Sequence, residues 1–140
     1  MTPRRVLILC TGNSARSQMA EALLRHLSGG RMDVFSAGTA PQPEVHPLAK
    51  ETLERRYGLT SDDLHPKKVD QFVGQPFDYV ITVCDNAAET CPVFPGDTTR
   101  IHWSFPDPAA ATGTLEERRR AFEIVAADIE ARLRSWLKVN

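Results

Sequence analysis

The run Val6-Leu7-Ile8-Leu9-Cys10 stops at a polar loop, Thr11-Gly12-Asn13-Ser14, and gives way to a helical pattern. This strand–loop–helix order constrains the fold more than any other feature. Consecutive apolar residues without polar alternation fit a strand buried on both faces of a parallel sheet. The pattern then repeats. A helix is expected from about Ser14 to Leu27, with Met19, Ala20, Leu23, Leu24 and Leu27 at helical spacing and Gly29-Gly30 as its end. Further strands are expected at Met32–Ser36, Phe77–Val83 and Thr99–Trp103. Gly38–Pro47 reads as a Pro-rich loop, Pro47–Tyr57 as a helix stopped by Gly58, and Val69–Val73 as a short helix. Thr114 opens the last helix, with Glu117 three residues on as a capping box and a stripe of Phe122, Val125, Ile129, Leu133 and Trp136.

Strand–helix alternation implies parallel pairing with right-handed crossovers. The expected fold is therefore α/β: an open, mostly parallel four-stranded sheet flanked by helices, in one domain spanning residues 1–140. Such sheets bind ligands beyond the carboxyl ends of their strands. Cys10 ends the first strand and Cys84 the third, so both thiols are expected on that edge.

Composition removes several function classes. Seventeen Lys+Arg against eighteen Asp+Glu leave a net charge of −1, a poor basis for nucleic-acid binding. No apolar run approaches the ~20 residues of a membrane helix. Met1-Thr2-Pro3-Arg4-Arg5 superficially resembles the start of a signal peptide, but the apolar run behind it is too short, and a cytoplasmic location is expected. Three cysteines are too few, and odd in number, for a secreted disulfide framework.

The densest chemical signal is Cys10-Thr11-Gly12-Asn13-Ser14-Ala15-Arg16-Ser17. A tight loop at a helix start aims backbone N–H groups inward, and the helix dipole adds positive potential. Gly12 allows close approach to an anion, and Asn13 suits a left-handed or bridging conformation. The Arg16 fork matches two oxygens of a tetrahedral oxyanion. The same donors, with Ser17 added, favour a thiolate at Cys10 and make it a nucleophile. A nucleotide P-loop is disfavoured, since Gly12 is not followed by a second Gly with Lys and Ser/Thr. The plain alternative is a buried Cys10 packing as a small hydrophobe and a solvated Arg16.

This segment resembles the low-molecular-weight protein tyrosine phosphatase fold family. The resemblance implies the nucleophile role for Cys10, oxyanion binding for Thr11 to Ser17 with Arg16, and a general-acid role for Asp107 of Asp107-Pro108. Taken alone, Asp107-Pro108 is a simple turn.

Two further thiols occur in Val83-Cys84-Asp85-Asn86-Ala87-Ala88-Glu89-Thr90-Cys91-Pro92. Seven residues separate them, too many for the usual zinc pair, so no metal site is expected. Two unrelated thiols, one in the core and one at the surface, is the other plain reading. If the segment were helical, their Cα atoms would stand about 10.5 Å apart, beyond the ~6.8 Å limit for a disulfide. Closing Cys84–Cys91 would then require unwinding. Asp85, Asn86 and Thr90 are mediocre helix formers, and Pro92 ends a helix.

This stretch, the run CTGNSARSQMAE from Cys10 to Glu21, and His102-Trp103-Ser104-Phe105-Pro106-Asp107-Pro108 together resemble the thioredoxin-coupled arsenate reductases along essentially the whole chain. The resemblance implies a relay: Cys10 attacks arsenate, Cys84 attacks Cys10, and Cys91 takes over Cys84 to give a disulfide that thioredoxin reduces. It implies arsenate as substrate, phosphate or sulfate as competing oxyanions, no bound cofactor and a monomer. The alternatives are a low-molecular-weight phosphatase using Cys10, Arg16 and Asp107, and a non-enzymatic oxyanion-binding or redox-sensing protein.

Ala109 and Ala110 follow Asp107-Pro108, so the aromatic platform for a phosphotyrosine ring is missing. Some relatives hold a potassium ion at positions matching Asn13, Glu21 and Ser36. Here Lys68 is expected to pair with Glu21 in its place, so no potassium site is expected. His102, Trp103 and Phe105 are read as structural, and Glu116 to Arg120 as a solvated face.

Overall fold

A computed structural model describes residues 3–140, apart from the side chains of Ala88 and Thr90. Met1 and Thr2, which begin the basic N-terminal stretch, lie outside the described residues.

The elements run β1 (Arg4–Cys10), α1 (Arg16–Ser28), β2 (Met32–Gly38), α2 (Pro47–Tyr57), β3 (Tyr79–Thr82), α3 (Asp85–Thr90), β4 (Thr99–His102) and α4 (Leu115–Leu137). Short 3-10 turns occupy Val69–Gln71 and Pro108–Ala110. The sheet order is β2-β1-β3-β4, and every pairing is parallel. β1 therefore lies between two neighbours, and Val6, Leu7, Ile8 and Leu9 are at most 1% exposed. Each such side chain contributes about 1.5–3 kcal/mol by leaving water. α1 packs on β1 and β2 and on α2 and α4. Phe122, Ile129 and Leu133 of the α4 stripe are buried, while Trp136 is only half-buried. The Thr114–Glu117 capping box forms in both directions. Among the described residues no helix is long and apolar enough to cross a membrane.

The boundaries shift where the backbone is committed to other partners. α1 starts at Arg16, not Ser14, because residues 11–15 form a loop in which Asn13 has a φ of 47°. β2 runs on to Gly38, which pairs with Cys10. β3 starts at Tyr79, not Phe77: Phe77 packs edge-to-face with Phe35, Phe72 and Phe94, and Asp78 exchanges hydrogen bonds with Arg5 through its N–H and its carboxylate. The 3-10 turn stops at Gln71, short of Val73.

Candidate active site

The loop between β1 and α1 is shaped from outside by the segment after β2. The N–H groups of Thr39, Ala40, Gln42 and His46 donate to the carbonyls of Cys10, Thr11, Gly12 and Ser14 at 2.8–3.3 Å. With its carbonyls held by this strap, the loop is free to turn its N–H groups toward the cleft. Gly38 lets the strap leave the sheet at this point, since a Cβ there would lie 2.5 Å from the Thr11 carbonyl oxygen. The left-handed turn falls on Asn13 rather than Gly12. Gly12 contributes room, because a Cβ would stand 3.2 Å from Gln42 Cγ.

Asn13 is fully buried. Its Nδ2 donates to Ser17 Oγ (2.7 Å) and Ser36 Oγ (2.9 Å), and its Oδ1 accepts from Lys67 N (2.8 Å) and Gln18 Nε2 (3.1 Å). Every donor and acceptor of that amide is thus used, which holds a conformation that asparagine tolerates better than most residues. Asn13 N donates to Cys10 Sγ at 3.2 Å, and Ser17 Oγ lies 2.9 Å from the same sulfur. The Ser17 hydroxyl accepts from Asn13, leaving its proton for Cys10. Two donors therefore converge on a sulfur at the N-terminal end of α1, an arrangement that stabilises negative charge.

Arg16 lies at the opening. Its Nη1 donates to the Phe105 carbonyl (3.1 Å), and its Nη2 is 3.9 Å from Asp107 Oδ2. Asp107 is about half exposed and caps the Pro108–Ala110 turn by accepting from Ala109 N at 3.0 Å. Cys10, Thr11, Ser14, Arg16, His46 and Asp107 share the walls of one open cleft of about 620 Å³, with Ala109 at its edge. His46 caps α2 by accepting from Leu48 N through Nδ1, and its ring packs on Phe122. Burial, helped by the Arg118 charge and opposed by Asp107, pushes its pKa below the usual histidine value.

The second thiol sits on the neighbouring strand. Val83 N bonds the Leu9 carbonyl, and the next residue, Cys84, is the N-cap of α3. Thr11 Oγ1 accepts from Asn86 Nδ2 (3.1 Å), which leaves its own proton to donate to Cys84 Sγ at 3.3 Å. Cys91 is the C-cap of the same helix, so the two thiols bracket α3. Burial pushes the Cys91 thiol up, and the Arg100 guanidinium partly offsets this. All three cysteines are free thiols.

One expected contact changes partner. Lys67, not Lys68, approaches Glu21, with Nζ 3.7 Å from Oε1; Lys68 instead lies 3.5 Å from Asp70. The bridge between Gly38 and Lys68 and the bond from Gly38 N to Lys67 O fix the register that turns Lys67 inward. Glu21, 2% exposed, also pairs with Arg25 at 3.1 Å. Glu21 thus has two of the protein's own cations beside it, the half-buried Lys67 and the exposed Arg25, while Glu21 Oε1 and Gln18 Oε1 are buried without a hydrogen-bond partner. Trp103 and Phe105 are buried packing groups. His102 binds Thr82 and Asp85 and lies outside the cleft lining. Within the charged run, Arg119 departs from a purely solvated role by pairing with Glu51.

The strap and Gly38 had no sequence signal as parts of this site, and the lysine expected beside Glu21 was placed one residue away from Lys67. The contribution of the strap and Gly38 is backbone bonding across a long separation, which leaves no side-chain motif. Gln18, also missed, is a polar residue on the inner face of an amphipathic helix, and that mismatch was visible.

The low molecular weight phosphotyrosine protein phosphatase family matches residues 5–139. The chain belongs to that family. Its curated relatives include proteins named arsenate reductase: the one from Halalkalibacterium halodurans is 38% identical over 140 residues, covering 100% of this chain and 99% of its own. Among solved structures, the thioredoxin-dependent arsenate reductase of Corynebacterium glutamicum superposes with a TM-score of 0.74 at 30% identity, covering 98% of this chain. This chain spans 61% of that protein's length. A structure described as an arsenate reductase in the phosphate binding state gives a TM-score of 0.75 at 26% identity, covering 96% of this chain and 97% of that one.

Proposed function

We propose that this protein reduces arsenate to arsenite with a three-cysteine relay recycled by thioredoxin. The observation that carries the reading is the placement of three free thiols along one path: Cys10 inside the anion cradle, Cys84 bonded to the cradle residue Thr11, and Cys91 at the far end of α3.

Arsenate enters the cleft and displaces Arg16 from the Phe105 carbonyl. The loop N–H groups from Thr11 to Ser17 and the guanidinium hold its oxygens. The Cys10 thiolate attacks arsenic; a sulfur–arsenic bond forms, and an oxygen leaves as water with a proton from Asp107. Cys84 then attacks Cys10 Sγ. A Cys10–Cys84 disulfide forms, and the sulfur–arsenic bond breaks with its electron pair on arsenic, which departs as arsenite. Cys91 attacks Cys84, Cys10 leaves as a thiolate, and reduced thioredoxin supplies two electrons to the Cys84–Cys91 disulfide. No resident cofactor is needed. Phosphate and sulfate, equal in shape and charge type, compete for the cradle. Among the described residues lining the cleft, Ala109 rather than a Phe, Tyr or Trp stands beside Asp107, which disfavours phosphotyrosine peptides.

The test is arsenite production with thioredoxin, thioredoxin reductase and NADPH on each Cys→Ser variant. Cys10→Ser is expected to be inactive, and Cys91→Ser to release one equivalent and stop. Unchanged multiple turnover by Cys91→Ser refutes the relay. A low-molecular-weight phosphatase would instead keep its activity in Cys84→Ser.

A further inference from the structure

We infer that His102 and Asp85 form a clasp that holds α3 folded while Cys84 is reduced and must open when Cys84 joins Cys91. The inference rests on the relay just proposed and names the positioning residues that time its last internal step.

His102 ends β4 and pairs in register with Thr82, the last residue of β3. Its Nδ1 is 2.7 Å from Thr82 Oγ1, and its Nε2 is 2.9 Å from Asp85 Oδ1. Asp85 is the first residue of α3. The imidazole thus bridges the rigid sheet edge and the first turn of the helix. Its hydrogen bonding is complete in both protonation states. As neutral imidazole, Nε2–H donates to Asp85 and Nδ1 accepts the Thr82 proton. As imidazolium, Nδ1–H donates to Thr82 Oγ1, whose proton turns to the Ile101 carbonyl at 3.4 Å.

α3 needs such a clasp. It has six residues, and Cys84, its N-cap, makes no side-chain capping bond; so short a helix is marginal without tertiary support. Other ties at its start run from Asn86 and Cys84 to Thr11, inside the cradle, and Ala87 is buried in the core. The ties to Thr11 position Cys84 for Cys10. The His102–Asp85 bond leads away from the cradle, so it holds the helix without taking part in the first thiol exchange.

The second exchange changes the requirement. Cys91 loses its proton to solvent and attacks Cys84 Sγ; the Cys84–Cys91 bond forms, the Cys10–Cys84 bond breaks, and Cys10 leaves as a thiolate. Seven residues of helical rise, about 10.5 Å, must collapse to the 4.4–6.8 Å between disulfide-linked Cα atoms. α3 cannot remain helical, and Asp85 leaves His102. The clasp therefore stabilises the dithiol form and not the disulfide form.

The test measures the reduction potential of the Cys84–Cys91 couple by thioredoxin or glutathione equilibration in wild type, His102→Asn and Asp85→Ala. Loss of an exposed, well-aligned pair is expected to favour the disulfide about threefold, a potential lower by about 14 mV for two electrons. Both variants are expected to lower the melting temperature of the reduced protein and leave that of the oxidised protein unchanged. The double variant is expected to match the single ones. An unmoved potential, or equal melting shifts in both redox states, overturns the clasp while the relay stands. Absence of a Cys84–Cys91 disulfide in wild type after one arsenate turnover overturns relay and clasp together.

Discussion

Gly38→Ala tests the claim that the anion cradle is held from behind. The added Cβ would lie 2.5 Å from the Thr11 carbonyl oxygen, 3.0 Å from Asn13 Cβ and 3.1 Å from Asn13 N. All three belong to the cradle, and two are backbone atoms with no rotamer to yield. Gly38 is itself fixed by its bond to the Lys67 carbonyl and by its pairing with Cys10. Opening 2.5 Å to an ordinary contact beyond 3.4 Å moves the loop by about 0.9 Å. Overpacking of this kind costs about 1–3 kcal/mol, a fall in melting temperature of about 6 °C at the middle of that range. A misplacement near 1 Å costs up to about 100-fold in kcat/KM. The assays are calorimetry and steady-state arsenite formation, with phosphate as competitive inhibitor to read cradle affinity. Gly30→Ala is the control: its φ of 84° strains a side chain but it has open space around it, so stability falls and kcat/KM does not. A Gly38→Ala enzyme with kcat/KM within a factor of about two of wild type and undiminished phosphate affinity refutes the backing argument.

Other predictions follow from individual side chains. His46 has a folded pKa below its unfolded value of about 6.5, so stability is full above about 6.5 and falls as pH drops through the interval between the two; His46→Asn keeps an N-cap and is expected to flatten that part of the urea-denaturation pH profile. Cys91 is pushed up by burial and held back by Arg100, so its transfer step should accelerate as pH rises above neutral, and Arg100→Gln should slow recycling about threefold while sparing the single-turnover arsenite burst, read by rapid quench. Lys67→Met leaves the buried Glu21 with Arg25 alone and is expected to cost about 1–3 kcal/mol, with potassium raising the melting temperature of the variant and not of wild type.

The sheet was legible because its signals are local and repeated. Val6 to Leu9 has no polar alternation, and only a strand covered on both faces suits it; β1 sits between β2 and β3. The Pro47–Tyr57 helix was readable to the residue because Pro47 and Gly58 mark both ends. The cradle was readable as far as its own chemistry reaches: Cys10, Asn13 and Ser17 meet as their types suggest. The inward lysine was misplaced by one residue because a single extended bridge between Gly38 and Lys68 decides which of two adjacent lysines faces Glu21. Side-chain direction alternates along extended chain, so a one-residue error in register reverses the outcome.

The same distinction explains why α3 was predictable only as a conditional. Its sequence holds too little helix propensity to decide its own conformation, and support comes from distant contacts, among them His102, seventeen positions after Asp85, and Thr11, 75 positions before Asn86. A segment whose helix depends on contacts from elsewhere can be released by altering those contacts. Thr11 connects the two demands. Its hydroxyl touches Cys84 and its carbonyl is bonded to the strap behind the cradle, so the loop that holds the anion also holds the second thiol. Thr11→Val isolates that link, because it removes the hydroxyl and keeps the shape. With the cradle amides intact, phosphate affinity is expected to hold. Formation of the Cys10–Cys84 disulfide is expected to slow about tenfold, the effect of losing about 1.4 kcal/mol of hydrogen bonding at a buried sulfur. Equal losses in anion affinity and disulfide formation would show that the hydroxyl supports the loop as a whole and does not orient Cys84.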